Sequence, residues 1–177
     1  MNALGLREGA VHAEVRVNEQ GVWIVEIAPR SIGGLCSLTL RFGSGTSLEE
    51  LILRHAMGVE VESFEREAPA AGVMMIPIPK AGTLQEVRGK KEAEAVSGIE
   101  EVRLTIPLGQ ELVPPPEGAR YLGFIFARDA SPDRVEAALR EAHFHLRFSI
   151  SRVPAGVPEA SRHSQRTGAR AKTAIAG

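Results

Sequence analysis

Apolar and polar residues alternate near the beginning of the chain in two short segments that are separated by a polar turn. Residues 10–17 alternate strictly, and residues 22–28 are rich in β-branched and aromatic side chains, so both segments predict strands. The turn between them, residues 18–21, is polar and ends in glycine, which favours a hairpin. The period of two assigns the side chains to faces. One face is predicted to carry Val11, Ala13, Val15 and Val17 with Trp23, Val25 and Ile27, and the other His12, Glu14 and Arg16 with Ile24, Glu26 and Ala28.

The rest of the chain alternates between short helical and extended patterns, which is typical of an α+β fold. A capping box at Ser47 begins one helix, Gly58 ends it, and the acidic, proline- and alanine-rich residues 59–70 predict a domain boundary. Pro77 and Pro79 confine the apolar run before them to a sheet edge. The other predicted elements are helices over 35–42, 92–96 and 131–145 and strands over 72–79, 102–106, 121–128 and 148–150.

Two glutamates on the hairpin are the first candidates for chemistry. Glu14 and Glu26 lie six residues on either side of Gln20, so closure of the hairpin brings them close to opposite each other. Like charges in that position destabilise a sheet, whereas a divalent cation between them removes the repulsion. Mg²⁺ joins one or two carboxylates to substrate phosphates. The alternative is an open sheet face, on which both carboxylates are solvated and Arg16 neutralises one of them.

The segment after the second strand favours the metal hypothesis. Arg30 lies at a period of two from Glu26, and an arginine there can pair with phosphate oxygens. Gly33 and Gly34 supply backbone that can approach a ligand closely, and the predicted helix after them adds a weak positive potential. These residues together predict a site for a polyphosphate and a metal ion.

Composition and charge exclude several other classes of protein. The chain has 177 residues, a net charge of −1 and one cysteine, so an intrachain disulfide is impossible. No apolar run approaches the roughly 20 residues that span a bilayer, and the N-terminus lacks the order of a signal peptide, which favours a cytoplasmic location. Residues 151–177 hold five basic residues and one acidic residue, and are predicted to be a disordered basic tail. A solvated terminus is favoured over a nucleic-acid contact there.

The motifs on the hairpin resemble the ATP-grasp superfamily, in its carboxylate–amine ligase branch that includes the L-amino acid ligases. His12-Ala13-Glu14 is similar to the family's His-x-Glu strand, and Glu26-Ile27-Ala28-Pro29-Arg30 to its Glu-x-Asn-x-Arg or Glu-x-Ala-x-Arg segment. Ala28 departs from the members that have asparagine there, which can add a metal ligand. The run Gly33-Gly34-Leu35 also fits. Residues 72–82 and 121–128 resemble the C-terminal domain of these ligases, so the resemblance covers residues 3–150.

The resemblance implies roles for these residues. Glu14 and Glu26 would bind Mg²⁺ or Mn²⁺ that bridges the phosphates of ATP, Arg30 would be the catalytic contact to the transferred phosphate, and Gly33 and Gly34 would help to bind the nucleotide. The implied reaction joins a carboxylate to an amine through an acyl phosphate. The implied fold is the C-terminal part of an ATP-grasp subdomain over 1–59, followed by the ligase C-terminal α+β domain over 60–150.

Most of the family's nucleotide pocket lies upstream of the His-x-Glu strand, and only eleven residues precede His12 here. We therefore expect a C-terminal fragment that is inactive alone, or one part of a split ligase whose upstream ATP-grasp half is supplied in trans. The alternative is a truncated module that binds a partner without catalysis. No membrane or nucleic-acid partner is expected.

Overall fold

A computed structural model describes residue 5 and residues 7–43, 45–61 and 63–151 of the chain. The predicted tail from residue 152 onward lies outside the described residues, and Ser151, which was predicted to begin that tail, ends a strand. The elements follow one another in the order β1 (His12–Asn18), β2 (Gly21–Ala28), a 3-10 helix (Cys36–Thr39), β3 (Arg41–Phe42), β4 (Thr46–Ser47), α1 (Leu48–Ala56), β5 (Ala70–Ile76), β6 (Gly82–Arg88), α2 (Lys90–Glu94), β7 (Ile99–Leu104), β8 (Glu111–Leu112), β9 (Gly123–Asp129), α3 (Pro132–His145) and β10 (Arg147–Ser151).

The N-terminal part consists of the β1–β2 hairpin, the 3-10 helix, the small β3–β4 ladder and α1. The side chain of Ser47 accepts a hydrogen bond from the backbone N–H of Glu50, as the capping box predicts. Gly58 follows the helix in the left-handed conformation with φ +67°, which glycine adopts without steric cost. Both predicted ends of α1 are therefore confirmed.

The predicted helix over residues 35–42 is wrong. Only the four residues Cys36–Thr39 are helical, as a 3-10 turn. Leu35 before them is left-handed with φ +58°, and Leu40 after them is extended. Arg41 and Phe42 then pair with Ser47 and Thr46, so the ladder takes the residues that a longer helix would use.

The C-terminal part contains two antiparallel three-stranded sheets, with strand orders β5-β9-β7 and β10-β6-β8. The strand before Pro77 lies at the edge of its sheet and ends at Ile76, which confirms the prediction from the prolines. Helix α3 begins at Pro132 after the capping residue Ser131 and ends at His145, as predicted. Strands β6 and β8 are not among the sequence-based predictions, because Glu86 interrupts the apolar alternation of β6 and because β8 has only two residues.

Nearly all of the buried apolar side chains belong to the C-terminal part. The core lies between the two sheets and helices α2 and α3, and its fully enclosed members include Ile76, Leu84, Leu112, Leu122 and Ile125. In the described N-terminal part, Leu51 is the one buried apolar side chain. The hydrophobic effect therefore stabilises the C-terminal part far more than the hairpin. The longest helix, α3, has 14 residues, and within the described ranges no helix has both the length and the apolar character to cross a bilayer.

The segment between α1 and β5 connects the two parts by backbone pairing. The N–H of Gly43 donates to the carbonyl of Glu65 at 2.9 Å, and the N–H of Glu67 donates to the carbonyl of Arg41 at 3.0 Å. Phe42 and Arg66 form an antiparallel bridge. Residues 65–67, within the predicted boundary segment, thus extend the β3–β4 ladder. These observations agree with the predicted α+β class, with antiparallel sheets and few helices.

Candidate functional site

Glu14 and Glu26 are direct partners in the register of the β1–β2 hairpin. The turn consists of Glu19 and Gln20, so a regular hairpin would pair Glu14 with Val25. A β-bulge accommodates one extra residue on β2 at Val25 and changes the register between Glu14 and Val15. Because paired residues of an antiparallel ladder share a face, the two carboxylates lie on the same side of the sheet.

The bulge also changes the faces that were predicted from alternation. Arg16 pairs with Trp23 and Val15 pairs with Ile24, so the predicted faces of Trp23 and Ile24 are wrong. Trp23 lies on the carboxylate face, where its Nε1 donates to Oδ1 of Asn18 at 3.3 Å. The opposite face becomes entirely apolar, and it comprises Ala13, Val15, Val17, Val22, Ile24 and Ile27.

Each carboxylate has a basic neighbour. His12 lies two residues before Glu14 on the same face, with its Nε2 3.2 Å from the glutamate Oε1. Arg30 lies just beyond the end of β2, and its Nη2 donates to Oε1 of Glu26 at 3.3 Å. The side chains of Glu14, Glu26 and Arg30 are each about half exposed, at 54%, 50% and 54%. The structure therefore brings the predicted carboxylates and arginine together on an accessible surface.

The Gly33–Gly34 pair forms a tight loop after Arg30. The N–H of Cys36 donates to the carbonyl of Gly33 at 3.2 Å, and Gly34 has φ +65°. A methyl group placed on Gly33 would have no other atom within 4 Å, so the backbone there faces open space. The positive potential that was predicted from a helix after Gly34 is nearly absent, because a four-residue 3-10 helix has almost no macrodipole.

The side chains present fit an open magnesium site better than an enclosed one. In the part of the chain that the structure describes, no group of three or more His, Cys, Asp or Glu side chains could hold a metal ion. Mg²⁺ keeps several waters and is commonly held by one or two carboxylates together with substrate phosphates. The paired Glu14 and Glu26, with open space at Gly33 for phosphate oxygens, match that chemistry. The role of each residue stays a prediction.

An apolar cavity of about 580 Å³ lies beside this site and was not predicted from the sequence. It is lined by residues at the base of the hairpin, in the loop after Arg30, on α1 and in the segment after α1, among them Val11, Ala13, Ile32, Leu51, Ile52 and Phe64. His12, which also contacts Glu14, and Ser31 line it as well. The sequence signal was present in the apolar positions of α1, but their spacing alone does not indicate which element they face.

Two family models match the chain, one after the other. The ATP-grasp domain model matches residues 1–39, which contain the hairpin and the glycine loop. The model described as L-amino acid ligase C-terminal domain 2 matches residues 74–151, which contain the buried core.

Several known proteins are similar to most of this chain. An uncharacterized protein of Sinorhizobium fredii, y4rH, is 24% identical over 151 residues, which is 85% of this chain and 32% of that protein. A solved L-amino acid ligase from Bacillus licheniformis is 25% identical with a TM-score of 0.69, over 85% of this chain and 38% of that chain. N5-carboxyaminoimidazole ribonucleotide synthetase from Thermotoga maritima is 21% identical with a TM-score of 0.60, over 80% and 37%. Phosphoribosylglycinamide synthetase from Anaerococcus prevotii is 17% identical with a TM-score of 0.68, over 85% and 39%.

The last two likenesses concern the fold alone. The chain spans about a third of the curated relative and less than two fifths of each solved structure. Residues 1–39 thus match the ATP-grasp domain family and residues 74–151 match the family of L-amino acid ligase C-terminal domain 2, and the chain has the fold of the corresponding part of a solved L-amino acid ligase.

Proposed function

We propose that this chain supplies the metal- and phosphate-binding end of an ATP- and Mg²⁺-dependent carboxylate–amine ligase. The observation that carries the proposal is the pairing of Glu14 with Glu26 on one face of the hairpin, with Arg30 3.3 Å from Glu26. Two facing carboxylates and a neighbouring guanidinium suit a polyphosphate that arrives with its own divalent cation. We also propose residues 1–59 as the end of the ATP-grasp domain and residues 60–150 as the ligase C-terminal domain.

Each residue has a distinct role in this proposal. Glu14 and Glu26 would hold Mg²⁺ or Mn²⁺, which when bound neutralises negative charge on the phosphates of ATP. Arg30 would exchange its exposed contact with Glu26 for the transferring phosphoryl group and stabilise the charge on it. The backbone at Gly33 and Gly34 would approach the phosphate oxygens through the open space beside Gly33, while the side chains of Met75 and Cys36 lie on the other side, against Gly34.

The proposed reaction proceeds in two transfers. A substrate carboxylate oxygen attacks the γ-phosphorus of ATP, the bond to ADP breaks, and an acyl phosphate forms. An amine nitrogen then attacks the acyl carbon, the bond to phosphate breaks, and the nitrogen loses a proton. The products are an amide, ADP and phosphate, and the amide is a peptide where both substrates are amino acids.

The remainder of the nucleotide pocket would come from an upstream ATP-grasp segment, in the same polypeptide or in trans. The apolar face of the hairpin supports this part of the proposal, because Val17, Val22 and Ile24 are 73%, 65% and 67% exposed. A two-stranded hairpin with one apolar face is marginally stable in water by itself. An upstream segment that covers this face would bury those side chains and complete the pocket beside the carboxylates.

A second candidate is a module that binds a partner without catalysis, and the same exposed apolar face favours it. The two candidates differ at the carboxylates. In the module, Glu14 and Glu26 are ordinary solvated side chains, and nucleotide with a divalent cation has no preference for the hairpin.

Paramagnetic NMR tests the proposed site directly and tolerates weak binding. We expect Mn²⁺ with ATP, added to the ¹⁵N-labelled chain, to broaden the amide signals of Glu14, Glu26 and Gly33 before those of Leu112, a buried core residue in the β10-β6-β8 sheet. Glu26→Gln keeps the size of the side chain and removes its charge, so the selective broadening should disappear. Glu19→Gln, in the turn of the same hairpin, is the matched control and should retain it.

Broadening that is uniform over the chain, or that persists in Glu26→Gln, would favour the non-catalytic module. If the selective broadening is found, ligase activity is tested by co-expression with the upstream half of a related ligase. ADP release should then depend on Glu14, Glu26 and Arg30, and the chain alone should release little ADP.

A further inference from the structure

Arg128 joins the C-terminal part of the molecule to the segment that follows the glycine loop. It lies on the central strand β9, and its side chain is only 13% exposed. Its Nε lies 3.1 Å from Oε1 of Glu100, and its Nη1 lies 3.5 Å from Oε2 of Glu67. Its Nη2 donates to the backbone carbonyl of Thr39 at 3.3 Å. One guanidinium therefore contacts three separate segments of the chain.

The two glutamates hold the guanidinium in place. Glu100 lies on β7, beside β9 in the same sheet, and it also contacts Arg41 with an N···O distance of 3.2 Å. Glu67 lies in the segment that pairs with Arg41 through its backbone. The planar guanidinium of an arginine presents five N–H donors in a fixed arrangement, whereas the three donors of a lysine ammonium rotate about a flexible stem. The two glutamates thus fix the orientation in which Arg128 contacts the carbonyl of Thr39.

A chain of hydrogen bonds continues from Thr39 to the glycine loop. The hydroxyl of Thr39 donates to the carbonyl of Cys36 at 2.8 Å. The N–H of Cys36 donates to the carbonyl of Gly33 at 3.2 Å. Between them, Leu35 has φ +58°, a conformation that is unfavourable for a residue with a Cβ and needs support from its surroundings. A second support comes from Met75 of β5, whose Cε would be 3.4 Å from a Cβ on Gly34.

We propose that Arg128 is a positioning residue, through which the C-terminal domain holds the Gly33–Thr39 segment in its phosphate-binding conformation. The proposal rests on the proposed function for the identity of the ligand, a phosphate group of ATP. The holding contact itself is independent of any ligand. It assigns the C-terminal domain a direct part in shaping the loop beside Arg30, although Arg128 does not touch the site.

The single cysteine of the chain makes this contact measurable. Cys36 lies inside the held segment, so its rate of alkylation by iodoacetamide at fixed pH reports local opening of that segment. Hydrogen exchange of a peptide that contains β9, measured by mass spectrometry, reports opening of the core. Arg128→Met removes the guanidinium at similar length, and we expect alkylation to accelerate about tenfold or more, because hydrogen bonds to a charged group shift an equilibrium by that factor.

Three further variants test whether the change in alkylation rate comes from the contact between Arg128 and Thr39. Arg128→Lys keeps the positive charge between the glutamates and should give an intermediate rate. Thr39→Val removes the hydroxyl link to Cys36 and should accelerate alkylation even in a chain where Arg128 is intact. Arg140→Met is the control. Arg140 pairs with Glu136 on the exposed surface of α3, so this variant should leave the alkylation rate unchanged.

An unchanged alkylation rate in Arg128→Met would overturn the proposal. A rise that only matches faster exchange in the β9 peptide would also overturn it, because the arginine would then stabilise the whole domain without positioning the loop. If Arg128→Met does not fold, Arg128→Lys and Thr39→Val decide the question by the same two measurements. None of these measurements uses nucleotide, so failure of the proposed function appears separately, as loss of the selective Mn²⁺ broadening.

Discussion

Glu14 lies directly opposite Glu26 although β2 has one more residue than β1 between the turn and the pair. The bulge at Val25 accommodates that residue. As a result, one face of the hairpin carries the two carboxylates and Trp23, and the other face is apolar. In the isolated chain the guanidinium of Arg30 offsets the charge of Glu26, and a ring nitrogen of His12 contacts Glu14. Both contacts are exposed, so a bound cation and phosphate can replace them at little cost.

Deletion of Val25 tests what the bulge contributes. A regular two-residue hairpin without this residue would still place Glu14 opposite Glu26, with a weaker local twist. We expect cross-strand nuclear Overhauser effects between the two glutamates to persist and the Mn²⁺-dependent broadening to weaken. Loss of the cross-strand signals would mean that the bulge itself sets the pairing.

Removal of the charge on Glu26 should affect binding and stability very differently. The ion pair between Glu26 and Arg30 is half exposed, and exposed pairs contribute less than about 1 kcal/mol. We therefore expect Glu26→Gln to abolish selective Mn²⁺ binding while the free energy of unfolding in urea changes by less than about 1 kcal/mol. A larger loss would indicate that Glu26 has a structural role in the hairpin.

The apolar face of the hairpin should be necessary for association with an upstream ATP-grasp half. Ile24→Lys places a charge on a side chain that is 67% exposed in this chain, and that charge would have to be buried in the proposed complex. We expect the variant to fold normally and to lose co-purification with the upstream half. Arg16→Gln, on the opposite face, is the control. Equal co-purification of Ile24→Lys and the unaltered chain would show that this face is not the contact surface.

Stability should depend on the C-terminal core. Ile125 is completely buried between its two neighbouring strands, so Ile125→Ala should lower the free energy of unfolding by about 2–5 kcal/mol. Val17 is 73% exposed on the hairpin, so Val17→Ala should change it by less than about 0.5 kcal/mol. Urea denaturation of the two variants compares them directly. Similar losses for both would mean that the hairpin face is covered in solution.

The thiol of Cys36 should titrate at a higher pH in the folded chain than in the unfolded chain. Partial burial disfavours the thiolate and raises the pKa of Cys36 above its ordinary value. The contribution of the neutral thiol to stability is therefore complete below the unfolded pKa and is lost as the pH rises through the folded pKa. Alkylation rates measured against pH, with and without urea, should show the folded curve displaced toward alkaline pH. Coincident curves would contradict the burial of this thiol.

Local signals in the sequence were enough for much of the fold. The capping residues Ser47 and Ser131, the prolines after β5 and the polar turn of the hairpin each fix a boundary through chemistry within a few residues. The family motifs likewise identified Glu14, Glu26 and Arg30 as neighbours. The structure confirms that these three side chains lie together, while their roles stay predictions.

Features that depend on distant contacts were missed. Strict alternation cannot reveal a bulge, so the faces of Trp23 and Ile24 were wrong. The helix expected after Gly34 fails because Thr39 is held by Arg128, 89 residues further along the chain, and Phe42 pairs with β4. Residues 35–42 have acceptable helix formers in sequence, and tertiary contacts override that preference.

The pairing of residues 65–67 with β3 has a practical consequence for chimeric ligases. A crossover in the acidic stretch between α1 and residue 65 would place Gly43 and Arg41 in one parent's segment and their backbone partners Glu65 and Glu67 in the other's. It would also place Thr39 and Arg128 in segments from different parents. A crossover between β2 and the 3-10 helix would instead keep Thr39, Arg128 and the C-terminal core in one segment from the same parent protein. Recombination at that earlier point should yield the larger share of folded hybrids.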